Sequence, residues 1–407
     1  MEMAELREYD LIVVGGGPSG LISAEYVASK GFKVAVLEEH SKVGVPEHCA
    51  GLISISGLKR LGERDFSYYT LNRIRGAIFK AYDGTYFSVK PRDYQALVVD
   101  RKKFDQNLAS KALEKGTEII LKSRVLGLKR VRDGILCLTR NEKYHTRLLV
   151  DASGIYGLVR RYLGISERPL TLPAYQFLVR GRNKLECDEV MLEFDKRLSK
   201  CFFSWIIPLD EKISRVGIAT DLGDPMRVLR YVVKKNYERG FRILRGYGGL
   251  VLISGPIKRT YADNLIVVGD SAGQTKPTTG GGVVTGGICA KIAGKVSLEA
   301  LEEEDFSSSK LKLYEKVWKG MLGSEFRAMK LVRALLNVLS NDTMRKLFLK
   351  IKELDIEECL ESYGDMDFQK RVIIEVLKDT RFLRSMFLPV LKDVLKNLNL
   401  KSLSYLL

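Results

Sequence analysis

Tyr9-Asp10-Leu11-Ile12-Val13-Val14 runs straight into Gly15-Gly16-Gly17-Pro18-Ser19-Gly20. Residues 21–29 follow with helical spacing. Then come Gly31 and a second apolar run, Lys33-Val34-Ala35-Val36-Leu37, which ends in Glu38. The order is strand, G-x-G-x-x-G, helix, strand, acid, the opening of a Rossmann-type dinucleotide fold. Gly15 permits the tight turn, Gly17 lets backbone approach a pyrophosphate, and Gly20 lets the helix pack on the strand. The helix start around Ser19 offers amide donors and a positive dipole end to phosphates. Glu38 stands where a carboxylate accepts ribose hydroxyls and repels a 2′-phosphate, so the ligand expected is FAD or NAD rather than NADP.

Further along, Val98-Val99-Asp100-Arg101-Lys102-Lys103-Phe104-Asp105 opens a helix that runs towards Gly116. Leu148-Leu149-Val150-Asp151-Ala152-Ser153-Gly154 reads as a strand closed by a turn. The sharpest signal is Leu265-Ile266-Val267-Val268-Gly269-Asp270-Ser271-Ala272-Gly273, continued by Gln274-Thr275-Lys276-Pro277-Thr278-Thr279-Gly280-Gly281-Gly282-Val283. These segments together resemble the FAD-dependent family of aromatic hydroxylases and geranylgeranyl reductases, and the K-P-T-T-G-G-G loop looks like the archaeal reductases in particular. The resemblance implies FAD, with Arg101 against its phosphates and the backbone of Val125, in an expected strand over 124–128, against adenine. It places Asp151 and Gly154 beside the dinucleotide and Asp270 on the ribityl chain. Pro277, Gly280, Gly281 and Gly282 would pass the flavin ring, with the amides at Val283 facing it.

Residues 165–260 alternate apolar and polar at strand period, which predicts an antiparallel sheet walling a substrate site. Within it Phe203-Ser204-Trp205-Ile206-Ile207-Pro208 resembles the reductases' Y-x-W-x-F-P, with Phe203 for Tyr and Ile207 for Phe. It also approaches the W-x-W-x-I-P of flavin halogenases. The family's later G-x-G survives only as Gly217-Ile218-Ala219. Phe203, Trp205 and Pro277 are the expected substrate contacts. Val45-Pro46-Glu47-His48-Cys49-Ala50-Gly51 is similar to the reductases' cysteine loop near the flavin. Cys49 and His48 are therefore expected to serve catalysis with Trp205, and Cys49, Ala50 and Gly51 to line the cofactor.

The fold expected is α/β: a Rossmann-type FAD/NAD(P)-binding domain over 1–164 and 255–300, an antiparallel domain over 165–254, and a helical region over 301–407. The activity implied by the resemblance is saturation of carbon–carbon double bonds in a prenyl lipid or quinone. The rivals are a flavin monooxygenase or halogenase, and a non-catalytic flavoprotein. With no second G-x-G-x-x-G after a strand, electrons are expected from transiently docked NAD(P)H or a ferredoxin-like donor.

Composition narrows the rest. Of 407 residues, 45% are apolar and the net charge is +17, with pI ≈ 9.4. Residues 301–407 hold 19 basic and 17 acidic side chains, so nearly all of that excess lies earlier. An anionic cofactor, lipid or carrier is expected to meet it, and no nucleic acid, because no basic-aromatic motif is present. Scattered cysteines and only three histidines argue against a metal centre or a disulfide scaffold. A charged N-terminus leading straight into a strand predicts a cytoplasmic chain. The tail repeats Phe387, Val390, Leu391, Val394, Leu395 and Leu398 at helical spacing, decorated by Arg381, Arg384, Lys392, Lys396 and Lys401. That face suits an anionic membrane surface, the protein's own core, or a second subunit.

Overall fold

A computed structural model describes residues 6–157, 162 and 170–397. The expected 164/165 boundary, Leu398 and Lys401 lie outside them. The chain divides into two units. The first comprises Met1–Glu47, Arg101–Leu170 and Ser254–Ser324, and the second His48–Asp100, Thr171–Ile253 and Glu325–Leu407.

In the first unit the strand Leu6–Val14 lies between Val34–Leu37 and Lys143–Asp151, parallel to both. Leu265–Val267 continues the parallel sheet beyond Lys143–Asp151, and Glu118–Ile120 continues it beyond Val34–Leu37. Residues 11–14, 34–37, 148–151 and 265–267 of these strands are continuously buried, as the centre of a parallel sheet must be, while Glu118–Ile120 lies partly exposed. Register then gathers the site. Val14 sits opposite both Leu37 and Asp151, and Asp151 opposite Val267. The residues that follow each strand therefore emerge along one carboxyl edge, where ligands bind in such sheets. The helices Pro18–Ala28 and Val283–Glu302 approach closely, since a Cβ on Gly294 would stand 2.8 Å from Tyr26 Cβ.

In the second unit seven strands form one sheet in the order Arg242–Leu252, Thr171–Arg180, Ile213–Ala219, Ser204–Pro208, Glu189–Phe194, Gly76–Ala81 and Tyr86–Val89. The helix Pro225–Asn236 buries Leu229, Val232 and Val233 against Phe177, Val179, Val216 and Ile218. A second cluster joins Ala81 and Phe87 to Phe348, Ile351, Phe382 and Met386 of the C-terminal helices.

Three expectations are corrected. Residues 48–100 are not part of the dinucleotide unit, because Gly76–Ala81 pairs in parallel with Glu189–Phe194 and carries its neighbours into the other sheet. That sheet is consequently mixed rather than purely antiparallel. The C-terminal residues form no region of their own: the helix Ser308–Val338 begins in the first unit, and the described residues after it, 339–397, belong to the second. The strand expected over 124–128 begins only at Gly127, so Val125 is buried in the loop before it. No described helix is long and apolar enough to cross a membrane.

Candidate functional site

The glycines of the first loop are required by their neighbours. Gly15 has φ +104°, and a Cβ there would stand 2.4 Å from the Ala152 carbonyl oxygen. A Cβ on Gly20 would stand 2.0 Å from the Gly15 carbonyl oxygen, whereas one on Gly17 would meet nothing within 4 Å. The first two positions thus close the turn and the third faces open space. The helix Pro18–Ala28 has Pro at its start and no side-chain cap at Gly17, so its first amides remain for an incoming acceptor.

Glu38 is buried and fixed by the loop it serves. Its Oε2 accepts from the Gly16 amide at 2.7 Å, and its Oε1 from the His40 amide at 2.9 Å. His40 Nδ1 lies 2.6 Å from the same Oε1.

The second fingerprint folds onto the first. Ser19 Oγ would stand 2.6 Å from a Cβ on Gly269 and 2.8 Å from one on Gly286, so both glycines make room for it. The Gly269 amide donates to Gln274 Oε1 at 2.9 Å, Gln274 Nε2 donates to the Tyr314 hydroxyl at 2.8 Å, and that hydroxyl donates to the Val267 carbonyl at 3.1 Å. This buried network pins the turn after Leu265–Val267. Gly280 adopts φ +70° and returns the loop, its amide donating to the Lys276 carbonyl at 2.8 Å. Pro277 is buried. Gly281, Gly282 and Val283 are half-buried at the uncapped start of Val283–Glu302.

Asp270 lies beside this loop, since a Cβ on Gly282 would stand 2.9 Å from its Oδ1. Surrounding protein pushes the Asp270 carboxyl up from its ordinary value, while Arg101 pulls it down. The side chain is nevertheless open to solvent. A carboxyl both crowded by protein and reachable by solvent stands in a recess, as a ligand-binding carboxyl should. Arg101 directs Nε and Nη2 onto Asp105 at 3.0–3.1 Å. Burial pushes the Asp105 carboxyl up, against the pull of that guanidinium. Asp151 is buried, its Oδ1 taking the Ser153 amide at 2.9 Å, and Gly154 has φ +78°.

The remaining expected residues belong to the second unit. His48 is exposed and Cys49 half-buried, its Sγ accepting from the Gly51 amide at 3.4 Å. The loop is anchored by Arg215, whose Nη1 donates to the Ala50 carbonyl at 2.9 Å and the Val99 carbonyl at 3.0 Å. Gly51 has φ +74°, and a Cβ there would stand 2.2 Å from that Nη1. Phe203 is buried, stacked on Phe202 with ring centroids 4.2 Å apart and edge-on to Trp205 at 6.4 Å. Trp205 is also buried. It pairs across the sheet with Gly217, which in turn pairs with Gln176. Its indole Nε1 reaches over the glycine and donates to Gln176 Oε1 at 3.0 Å. A Cβ on Gly217 would stand 2.2 Å from the indole. The glycine kept from the family's G-x-G is thus the floor under the tryptophan.

Sequence reading missed His40, Asp105, Gln176, Arg215, Gln274 and Tyr314 as site residues. Gln274 sits inside a fingerprint that flags it. His40 and Asp105 meet their partners within four residues, whereas Gln176, Arg215 and Tyr314 act through partners remote in sequence. Among the described residues, no cluster of His, Cys, Asp and Glu is arranged for a metal.

A parallel sheet with two glycine turns meeting at Ser19, uncapped helix starts and a recessed carboxyl defines a dinucleotide-binding α/β protein. Residues 1–126 match the Thi4 family. The chain is 32% identical over 390 residues to digeranylgeranylglycerophospholipid reductase 1 of Methanococcoides burtonii, covering 91% of each chain. It is 29% identical to digeranylgeranylglycerophospholipid reductase 2 of Methanopyrus kandleri, over 90% of this chain and 96% of that one. The chain belongs to the digeranylgeranylglycerophospholipid reductase family. Its fold is like that of a geranylgeranyl bacteriochlorophyll reductase-like protein from Thermoplasma acidophilum (TM-score 0.83, 22% identity, 96% of this chain and 100% of that one). It is also like that of a flavin-dependent brominase (TM-score 0.69, 15% identity, 92% and 99%). At those identities the likeness establishes the fold alone.

Proposed function

We propose that this protein is an FAD-dependent reductase that saturates the carbon–carbon double bonds of geranylgeranyl groups in a membrane lipid. The observation that carries the reading is similarity to named reductases along nearly the whole of both chains. The cradle supports it, since the two glycine turns, Glu38, Asp151 and Asp270 all stand at the carboxyl ends of strands of one parallel sheet. When bound, FAD supplies hydride to one alkene carbon, and a proton completes the other.

The chain's own residues prepare that step. The amides at Gly17 and Ser19 and the Arg101 cation hold phosphate, Glu38 holds ribose, and Asp270 holds the ribityl hydroxyls. The turn over residues 277–282 lets backbone approach the ring. Amides at the start of Val283–Glu302 favour negative charge there. Cys49, held by the Gly51 amide and the Arg215 anchor, is the proposed group beside the reacting carbon, with exposed His48 relaying protons to it. Phe203 and Trp205 supply the rigid apolar wall that an unpolarised alkene needs for positioning.

Electrons reach the protein from NAD(P)H or a ferredoxin-like donor, and the protein works at a membrane surface. A halogenase is disfavoured because Phe203 stands where its motif has Trp. The test is anaerobic incubation of the FAD-loaded, dithionite-reduced protein with a geranylgeranylated phospholipid in detergent, followed by mass spectrometry. The expected result is a gain of two hydrogens per double bond, and no gain refutes the reading.

A further inference from the structure

The C-terminal helix Thr380–Asn397 has two apolar faces, and one is spent on the protein. Phe382 and Met386 are buried in the cluster of Phe87, Phe348 and Ile351. Asp393 is buried beside them, its Oδ2 accepting from the Ser340 amide at 2.7 Å. The opposite side carries Leu383, Phe387, Leu388, Leu391 and Leu395. Phe387, Leu388 and Leu395 are 63%, 70% and 74% exposed. With 3.6 residues per turn, all five fall in one arc. Five large apolar side chains gathered on one exposed arc are far from the scattered single residues that need no explanation.

The charges around the arc point to its occupant. Arg384 stands within it, and Lys392 and Lys396 run along one border, all exposed. The helix's sole acid, Asp393, faces inward, and Asp379 just before it is taken by Arg381 at 2.7 Å. The preceding helix Lys370–Lys378 adds exposed Ile374 and Leu377, and its Glu375 is taken by Lys378 at 2.8 Å. A two-fold pairing of this face with itself would bring cations against cations. An anionic lipid surface complements it, with the apolar arc under the headgroups and the lysines reaching phosphates.

We infer that this face is the protein's docking surface for an anionic membrane. Its service to the proposed reaction rests on the reading that the substrate lies in that membrane.

The test is flotation of the full-length, FAD-loaded protein with phosphatidylcholine vesicles, with and without phosphatidylglycerol. The wild type is expected to float with the anionic vesicles and to release as salt rises. Leu388→Glu with Leu395→Glu, and separately Lys392→Glu with Lys396→Glu, should each lower the partition at least about tenfold. Circular dichroism melts matching wild type verify folding, and the lysine pair keeps the test valid should the leucine pair misfold. A wild type that stays in solution overturns the inference, as do variants that float undiminished. So does a dimer that Leu388→Glu with Leu395→Glu splits into monomers, which would assign the face to a second copy. The vesicles carry no prenyl substrate, so failure here leaves the saturation assay in detergent to be judged by itself.

Discussion

Gly217→Ala is the substitution from which the structure predicts most. The Cβ it adds would stand 2.2 and 2.3 Å from two indole atoms of Trp205, about 1 Å or more inside ordinary contact. The indole is buried between neighbouring strands, so it cannot rotate away freely. Overpacking of this kind costs about 1–3 kcal/mol. If the ring moves, its hydrogen bond to Gln176 is lost, leaving a buried donor and acceptor unmatched for about 1–3 kcal/mol more. The expected destabilisation is therefore about 2–6 kcal/mol. Two tryptophans occur in the chain, so a Trp318→Phe background reports Trp205 alone. In that background, urea unfolding of Gly217→Ala should show a lowered midpoint with a shifted native emission spectrum. The decisive control pairs Gly217→Ala with Trp205→Leu. With the ring edge gone, the alanine should add little, so the coupling should approach the whole destabilisation of about 2–6 kcal/mol. Wild-type stability and emission in Gly217→Ala, or full additivity in the pair, refutes the reasoning.

Four further outcomes follow. Gly20→Ala places a Cβ 2.0 Å from backbone that no rotamer can relieve, so FAD affinity should fall at least about tenfold, read from flavin absorbance per protein after dialysis. Arg101→Met leaves the Asp105 carboxylate buried without its cation, for about 3–5 kcal/mol at pH 7 by denaturant unfolding. Since the Asp105 carboxyl is already held above its ordinary value and rises further in the variant, the folded state takes up a proton as pH falls, and the deficit should shrink towards pH 5. Asp379 is pulled down to about 2 by its hydrogen bond to Arg381, and its cap on the last helix should stabilise above about pH 4 and vanish as pH falls through 2. The gap between wild type and Asp379→Ala should close over that window in thermal melts. Burial pulls the Lys196 ammonium down to about 8, so the unfolded chain binds more protons between about 8 and 10.5 and stability contributed by this group rises with pH there. Lys196→Met should remove that rise.

The cradle was legible because its grammar is local. Gly15, Gly17 and Gly20 are set by one turn and one helix start, and Glu38 by the length of a single strand–helix–strand unit. The same holds for Gly269, Asp270 and residues 277–282. These segments announce their turns and helix starts within a few residues, while the close packing of Gly15 on Ala152 and of Gly269 on Ser19 is made across the fold.

Partnership across the fold was decided elsewhere. Alternation marks Glu189–Phe194 as a strand, but a period of two names no neighbour, and its parallel pairing with Gly76–Ala81 redrew the units. Arg215 on Ala50, Gln176 under Trp205 and Tyr314 beneath Gln274 join residues far apart in the chain. Hydrogen bonds of that kind depend on which strands lie side by side, and a linear sequence leaves that open. The last helix makes the same point. Its sequence sets the 3.6-residue stripe, but only packing chose Phe382 and Met386 for the core and left Phe387, Leu388 and Leu395 facing outward.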